Sequence, residues 1–563
     1  MSGNLSTGAE AMVRMLAAHG VRHIFGLCGD TSLPFYDALA RLDHPMTHIL
    51  TRDERHAAYM ADAYARVTGQ VGICEGPSGG GATYILPGLV EANESSVPIL
   101  AITTDVATTS AGRFPLTELD QEALFRPLTK MNGVIPSAGL LPRMVRKAFR
   151  EMTTGRPGSA HLGLPFDVQK APVPEEEVWA DPQFGRFPAL PAAPDAAQIS
   201  TLLEALVSSE RPVAICGGGV VLSDGMDALS RFATALDLPV ATTVSGQGAL
   251  AESHPNCLGV VGSNGGQPAT RDVVDAADCV LFIGCRAGSV TTERWRSPPP
   301  GTRILHIDSD PGVIGACYDT EVGVVADAAL ALEALNRLVA EAAVERRFGG
   351  AETVAAAKAA KWPRFLELAE DATAPIRPER VIATLARHLP DDAVICADPG
   401  TPCPYFSAWY AWPRAGRHFI TNRAHGALGY AIGAAVGAQV GRPGAKVVCA
   451  TGDGSFAMSV GELETIMRLS LPITIVVFSN SVFGWIKAGQ KSGFGERYFS
   501  VDFSRTDHAA VAAAYGLATW RVEAPGDLDG ALKAAIAHDG PALVDVIAQP
   551  LQEAEAPVSE WVA

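Results

Sequence analysis

Eight short stretches of this chain, residues 71–74, 99–103, 213–216, 279–284, 304–308, 394–397, 447–450 and 473–478, are continuous and predominantly apolar, interrupted only by Thr103, His306, Asp308 and Thr474. As a set they lack the regular polar and apolar alternation of strands with one wet face, so they predict strands buried on both faces. Between them lie longer segments with helical spacing. Strands alternating with helices predict parallel sheets covered by helices, and the fold class expected is α/β, built from doubly wound parallel-sheet domains. Two stretches interrupt the pattern. Residues 170–194 are rich in proline and acidic side chains, and residues 344–377 are charged and Ala-rich with Pro363 and Pro375. They predict linkers, and hence three units of similar size over residues 1–170, 190–345 and 375–555.

Composition narrows the classes. A chain of 563 residues is too long for one core and suggests roughly three or four domains. With 48% hydrophobic and 19% charged residues it reads as globular, and no apolar run approaches the roughly 18 residues that span a bilayer. The first ten residues lack a basic, apolar leader pattern, so a cytoplasmic location is expected. The ten cysteines are scattered without CxxC pairs or His/Cys ligand spacing, which predicts reduced, mostly buried thiols. A net charge of −17 argues against nucleic acid or an anionic membrane as partner and leaves a small-molecule substrate.

Candidate chemistry sits at the ends of two of the runs. Gly452-Asp453-Gly454 closes the run 446–450, and Asn480 closes 473–478. Asp453 and Asn480 carry hard oxygen ligands of the kind Mg²⁺ takes, at strand ends, and the glycines let a phosphate approach the backbone. Gly452-Asp453-Gly454-Ser455-Phe456, followed a helix-length later by Ser479-Asn480, resembles the thiamine diphosphate motif of the acetolactate synthase, pyruvate decarboxylase and benzaldehyde lyase superfamily. Residues 51–66 resemble that family's helix bearing a glutamate, here Glu54. Residues 424–430, Ala-His-Gly-Ala-Leu-Gly-Tyr, resemble the segment that grips the cofactor's aminopyrimidine. The likeness runs from about Leu16 to Val546.

The resemblance implies the rest of the site. Thiamine diphosphate and Mg²⁺ are the expected cofactors, with Asp453, Asn480 and the Val482 carbonyl on the metal. Gly400, Thr401, Gly452, Gly454, Ser455, Phe483 and Gly484 are expected along the cofactor, Leu428 as the wedge beneath it, and Gly426 and Leu428 at the pyrimidine edge. Glu54 would share a proton with ring atom N1' and so favour the 4'-imino tautomer that acts as base. Glu54, Asp30 and His425 form the expected catalytic set, although Asp30 also suits a turn and His425 a helix cap. Cys28, Asp30, Gly80, Gly81, Thr117, Trp485 and Ile486 are expected on the substrate side.

Some positions depart from the family pattern. Ser479 stands where the family has a first asparagine, Thr103-Thr104-Asp105 where decarboxylases have paired histidines, Leu116-Thr117-Glu118 where acetolactate synthases have Phe-Gln before an acid, and Gly489 where those enzymes have a tryptophan. The Gly489 change is expected to leave room for a second substrate. Ser263-Asn264-Gly265 replaces a Met-His-Gly of flavin-binding members, so FAD is not expected, with Arg286 as the one feature in its favour. Gly217-Gly218-Gly219 lacks GxGxxG spacing and reads as a tight turn. The activity implied is a decarboxylase or lyase with carboligase activity on a 2-oxo acid or 2-hydroxy ketone, in a homodimer at least and a homotetramer by expectation. A flavin-containing acetolactate synthase or oxidase, a non-catalytic thiamine diphosphate binder and a nucleotide-dependent dehydrogenase are the rival readings.

Overall fold

The apolar runs become strands because both of their faces are covered. In Pro212–Cys216, Val213 and Ile215 enter one hydrophobic cluster while Ala214 and Cys216 enter another. Cys279–Ile283 divides the same way, Val280 and Phe282 against Cys279, Leu281 and Ile283. A strand with a core on each side leaves few positions for a polar residue, and those it keeps, such as Glu75, His306 and Asp545, are buried; a regular period-two alternation is therefore missing from these segments.

The computed structural model describes residues 5–561; the first four positions of the unit expected at 1–170 lie outside the described residues. It contains three six-stranded, all-parallel sheets flanked by helices. The first comprises β1 (His23–Gly26), β2 (Thr47–Leu50), β3 (Gly72–Gly76), β4 (Ile99–Asp105), β5 (Met131–Val134) and β6 (Ala160–Pro165), in the order β2-β1-β3-β4-β6-β5. The second holds β7 (Pro212–Cys216), β8 (Val240–Thr242), β9 (Cys257–Val260), β10 (Cys279–Ile283), β11 (Arg303–Asp308) and β12 (Val322–Val325), in the order β9-β8-β7-β10-β11-β12. The third holds β13 (Val394–Ala397), β14 (Phe419–Thr421), β15 (Val447–Gly452), β16 (Thr474–Ser479), β17 (Ala518–Val522) and β18 (Ala542–Ile547), in the order β14-β13-β15-β16-β18-β17. The first and third sheets thus share one strand order, and in each the winding reverses between the first and third strands. Ligands of open α/β sheets bind outside the carboxyl ends of the strands at such reversals.

By packing, the chain forms two compact units. The first runs to Leu190 and takes in Asn422–Gly444 and Ser459–Leu469; the second comprises Pro191–Thr421, Ala445–Met458 and the chain from Ser470 onward. Within the first unit, helix α1 (Glu54–Thr68) packs beside α2 (Leu86–Glu94). In the second, α3 (Gly350–Glu370) corrects the expected linker at 344–377. Its alanine-rich sequence has the helix propensity to carry the helix through Pro363, and it joins two cores, with Val354 and Ala357 in the central cluster and Phe365 and Ala369 in the C-terminal one. Helices α4 (Tyr430–Gly441) and α5 (Glu462–Arg468) follow third-sheet strands in sequence yet pack in the first unit. Gly433, Gly437 and Gly441, four apart on α4, let it lie directly on α1. A Cβ at Gly437 would clash with the Met60 carbonyl, one at Gly433 would sit 3.1 Å from the Tyr59 Cβ, and one at Gly441 2.8 Å from Thr68.

The glycine triplet makes the strand-to-helix junction after β7, with Gly217 as cap and Gly218 and Gly219 opening a short helix, and a Cβ on Gly219 would come within 2.7 Å of the Gly284 Cα. Eight of the ten cysteines are buried and all are free thiols, with Cys28 and Cys317 exposed. Among the described residues, no helix is long and apolar enough to cross a membrane.

Candidate active site

Glu54 opens α1. The preceding Asp53 caps the helix by accepting the Arg55 N–H at 2.8 Å, and the Arg52 N–H is held by the Glu462 carboxylate of α5 at 2.8 Å. These two ties fix where the helix begins, and Glu54 with it. The side chain is only 5% exposed. Burial pushes its carboxyl above the usual range, and the neighbouring Asp53 and Glu75 add to that. Glycines make its space: a Cβ at Gly76 would lie 3.2 Å from the Glu54 side chain, and one at Gly81 3.0 Å from its Oε1. A carboxyl shielded from water and poised toward its protonated form can share a proton with a ring nitrogen.

The loop that leads into α4 lies in the same unit. Gly426 (φ 73°) and Gly429 (φ 83°) both occupy the left-handed region, which glycine enters without a Cβ penalty. The loop is pinned by the Asn422 side chain, which donates to the Ala427 carbonyl at 2.5 Å, and by Ser459 Oγ, which donates to Gly429 O at 2.8 Å. His425 and Gly426 are exposed, and Leu428 is half-buried.

The second unit holds the other half of the expected set. β15 ends at Gly452 and β16 at Ser479, paired in parallel, so Asp453 and Asn480 leave neighbouring strands on one edge of the third sheet. Asp453 Oδ2 accepts the N–H groups of Asn480 (2.8 Å) and Ser481 (2.6 Å), and its Oδ1 accepts that of Gly454 (2.9 Å). Burial raises its pKa, and these three N–H groups oppose the rise. Ser481 takes a left-handed backbone (φ 58°), which turns the chain from Asn480 toward Val482. Val482 O accepts the Gly484 N–H at 2.9 Å, and Phe483 N–H donates to Val501 O at 2.8 Å. Thr401 and Ser455 are buried.

Two features fit a diphosphate with a divalent metal here. A Cβ at Gly400 or Gly452 would meet no protein atom within 4 Å, and Gly452 has an ordinary φ of −80°. Neither crowding nor strain within the chain explains glycine at these strand ends, whereas close approach of a phosphate to the backbone does. The donor set also fits. Among the described residues, no group of three or more His, Cys, Asp or Glu gathers to hold a metal unaided. One carboxylate, one amide and one carbonyl suit Mg²⁺ whose remaining positions are filled by phosphate oxygens and water.

The substrate-side residues divide. Cys28 and Asp30 follow β1, and Gly80 and Gly81 follow β3, at the winding reversal of the first sheet. Asp30 is exposed, and its carboxylate caps its own turn by accepting the Thr31 N–H at 2.9 Å. A chain of hydroxyls adjoins it, Thr104 to Thr31 at 2.8 Å, Thr31 to Ser78 at 3.1 Å and Ser78 to Thr117 at 2.7 Å. Nearby in sequence, burial pushes the Asp105 carboxyl up to about 6. Trp485 and Ile486 lie on α6 (Gly484–Gly493) in the second unit. Ile486 is 55% exposed, while Trp485 packs on the C-terminal core and donates its indole N–H to Trp561 O at 3.2 Å. At Gly489, where room is expected, a Cβ would make ordinary van der Waals contact with Trp561, 3.8 Å from its Cβ. The same C-terminal segment engages Ser263-Asn264-Gly265, with the Gly265 N–H on Pro557 O at 2.8 Å and the Ser559 N–H on Ser263 O at 3.0 Å.

Sequence reasoning missed the groups behind these residues. Ser479 donates to Asp545 and lies 2.9 Å from His508 Nδ1, the first residue of α7 (His508–Tyr515). Burial raises the Asp545 carboxyl, but the bonds from His508 and Ser479 outweigh it and hold the group below its usual range. Thr451 donates to the buried Asp398 at 2.6 Å, tying the end of β15 to the loop after β13. Each partner is far away in sequence, and a lone Asp or His gives no spacing signal.

Residues 6–124, 199–335 and 400–546 match the N-terminal TPP binding domain, the central domain and the C-terminal TPP binding domain of thiamine pyrophosphate enzymes. The chain is 34% identical to a probable acetolactate synthase large subunit of Methanococcus aeolicus, over 96% of this chain and 92% of that protein. It is 31% identical to the acetolactate synthase isozyme 2 large subunit of Escherichia coli (97% and 96%) and 30% identical to the isozyme 3 large subunit (94% and 92%). The chain therefore belongs to the thiamine pyrophosphate enzymes of the acetolactate synthase and pyruvate decarboxylase superfamily. It is a thiamine diphosphate-dependent enzyme.

Proposed function

We propose that this enzyme is a Mg²⁺-dependent decarboxylase or lyase that cleaves a 2-oxo acid or 2-hydroxy ketone and also joins the retained fragment to a second carbonyl compound. The observation that carries the reading is Glu54, a carboxylate buried at the start of α1 with its pKa raised by desolvation, in a space that Gly76 and Gly81 leave open. A chain that only bound the cofactor would gain nothing from such a group. When bound, thiamine diphosphate supplies a positively charged thiazolium that accepts the electrons released when the bond to the substrate carbonyl carbon breaks.

The chain's own residues position and tune. Glu54 shares a proton with ring atom N1'. Gly426 would offer its carbonyl and Leu428 its N–H to the pyrimidine edge, and the Leu428 side chain would serve as the wedge. Asp453, Asn480 and the Val482 carbonyl would hold Mg²⁺, and backbone N–H groups at Gly400 and Thr401 would receive the diphosphate, with Gly452, Gly454 and Ser455 beside it. Phe483 and Gly484 lie along the cofactor. Cys28, Gly80, Gly81, Thr117 and Ile486 contact substrate, and Asp30 and His425 move protons there. The relatives' designation as large subunits supports an assembly of more than one chain, a homodimer at least and a homotetramer in the reading preferred here.

A screen of 2-oxo acids and 2-hydroxy ketones with the holoenzyme, following CO₂ release and carbon–carbon bond formation separately, tests the reading. A proton donor beside the reacting carbon favours release of an aldehyde over ligation. Asp30→Ala is therefore expected to raise the acyloin-to-aldehyde ratio with the preferred substrate. An unchanged ratio and rate would make Asp30 a turn residue, and absence of both products with every substrate would remove the proposed reaction.

A further inference from the structure

Two buried carboxylates tie the loop before α4 to α1, and neither belongs to the site proposed above. Glu91 of α2 is fully buried. Its Oε2 accepts the N–H of His425 at 2.7 Å and that of Ala424 at 3.2 Å, and its Oε1 accepts Ser95 Oγ at 2.6 Å and the Arg66 guanidinium at 3.2 Å. Arg66, near the end of α1, also donates to Asp62 at 2.9 Å, and Asp62 accepts the hydroxyl of Tyr430, the first residue of α4. Residues 424–429 are thereby gripped at both ends, at entry through Glu91 and at exit through Asp62, with Arg66 joining the two anchors.

We infer that Glu91 is a positioning residue for the aminopyrimidine half of the cofactor. The inference rests on the proposed role of Gly426 and Leu428, which follow directly on the two N–H groups that Glu91 holds. Glu54 opens α1 and Arg66 lies three turns further along it, about 18 Å by helix rise. One rigid helix therefore sets both the carboxylate meant for N1' and, through Arg66 and Glu91, the backbone meant for the opposite ring edge. A buried ionic cluster of this kind adds little net stability compared with an apolar replacement, and its use lies in specifying one geometry. Charge-assisted bonds to two consecutive N–H groups fix the loop's direction in a way that apolar contact cannot.

The test uses the full-length, cofactor-free chain and two probes in the presence of Mg²⁺, thiamine diphosphate and inorganic diphosphate. Glu91→Gln keeps the side-chain shape but loses the charge facing Arg66 and the loop. Thiamine diphosphate is expected to bind about tenfold or more weakly, in keeping with loss of a charged hydrogen bond, while inorganic diphosphate, which has no pyrimidine, binds as before. Unchanged thiamine diphosphate affinity would overturn the inference, as would an equal loss for both probes, which would mark Glu91 as a general support of the fold. Leu428→Ala separates this from the underlying assignment. If Leu428→Ala weakens thiamine diphosphate and Glu91→Gln does not, the positioning role alone fails; if neither does, residues 424–428 do not face the pyrimidine. Should Glu91→Gln not fold, Glu91→Asp keeps the charge near Arg66 but is one methylene short of the loop, and the same selective loss is expected; unchanged affinity in that variant overturns the inference.

Discussion

Glu54→Gln is expected to lower kcat by about a hundredfold or more, the scale of a lost acid–base contribution, while thiamine diphosphate affinity changes little. The amide has the volume of the carboxyl and fits the space between Gly76 and Gly81, but it cannot share a proton with N1'. The substitution is not expected to destabilise the fold. Burial raises the Glu54 pKa, so in the cofactor-free chain the ionised form costs stability above its unfolded pKa. Glutamine removes that cost. Thermal unfolding of the variant should therefore occur at an equal or higher temperature near neutral pH, and the difference should shrink as pH falls into the ordinary carboxylate range, where both side chains are neutral. Steady-state kinetics beside thermal melts at two pH values would check both halves. Near-normal turnover would take Glu54 out of the mechanism.

Substitution of Asp453 should act on cofactor retention rather than on turnover of the loaded enzyme. Asp453→Ala removes both the metal ligand and the acceptor for three N–H groups, each costing about 1–3 kcal/mol if left buried and unpaired. Asp453→Asn is the cleaner variant, because its amide oxygen can still accept from the loop at Asn480 and Ser481 while the charge that Mg²⁺ requires is gone. Purified Asp453→Asn is expected to carry far less than one thiamine diphosphate per chain, and Mg²⁺ should no longer strengthen binding. Cofactor content by mass spectrometry and titration with and without EDTA would show this. Stoichiometric cofactor in the variant would place the metal elsewhere.

Much of this was legible in the sequence, for physical reasons. A strand buried on both faces is mostly apolar, so β13, β15 and β16 could be marked, and ligands at the ends of such strands fall on one sheet edge. Asp453 and Asn480 stood out because glycine and a hard oxygen donor directly follow those runs. Glu54 needed the motif around it, since nothing in Arg-Asp-Glu-Arg says that the glutamate is buried while the arginines beside it are not. Helix α3 was hidden because Pro363 and the charges read as a linker, although alanines dominate its propensity. The grouping of α4 and α5 with the first unit depends on Gly433, Gly437 and Gly441 meeting α1, a long-range match that glycine spacing alone does not announce. Glu91, His508 and Asp545 were invisible for the same reason, each having a partner in a distant part of the chain, while Arg66 and Asp62, four apart on α1, read as an ordinary helix pair. At Gly489 the sequence showed only a missing side chain; that Trp561, 72 residues further on, borders the position is another long-range contact without a spacing signal.

The most direct measurement for the central claim is reconstitution. The full-length chain is stripped of metal and cofactor, and turnover of the best substrate from the screen is followed as thiamine diphosphate and Mg²⁺ are returned singly and together. The account predicts activity only when both are present, with Mg²⁺ lowering the concentration of thiamine diphosphate needed. Turnover by the stripped chain, or full activity with thiamine diphosphate while EDTA holds every divalent ion, would contradict it.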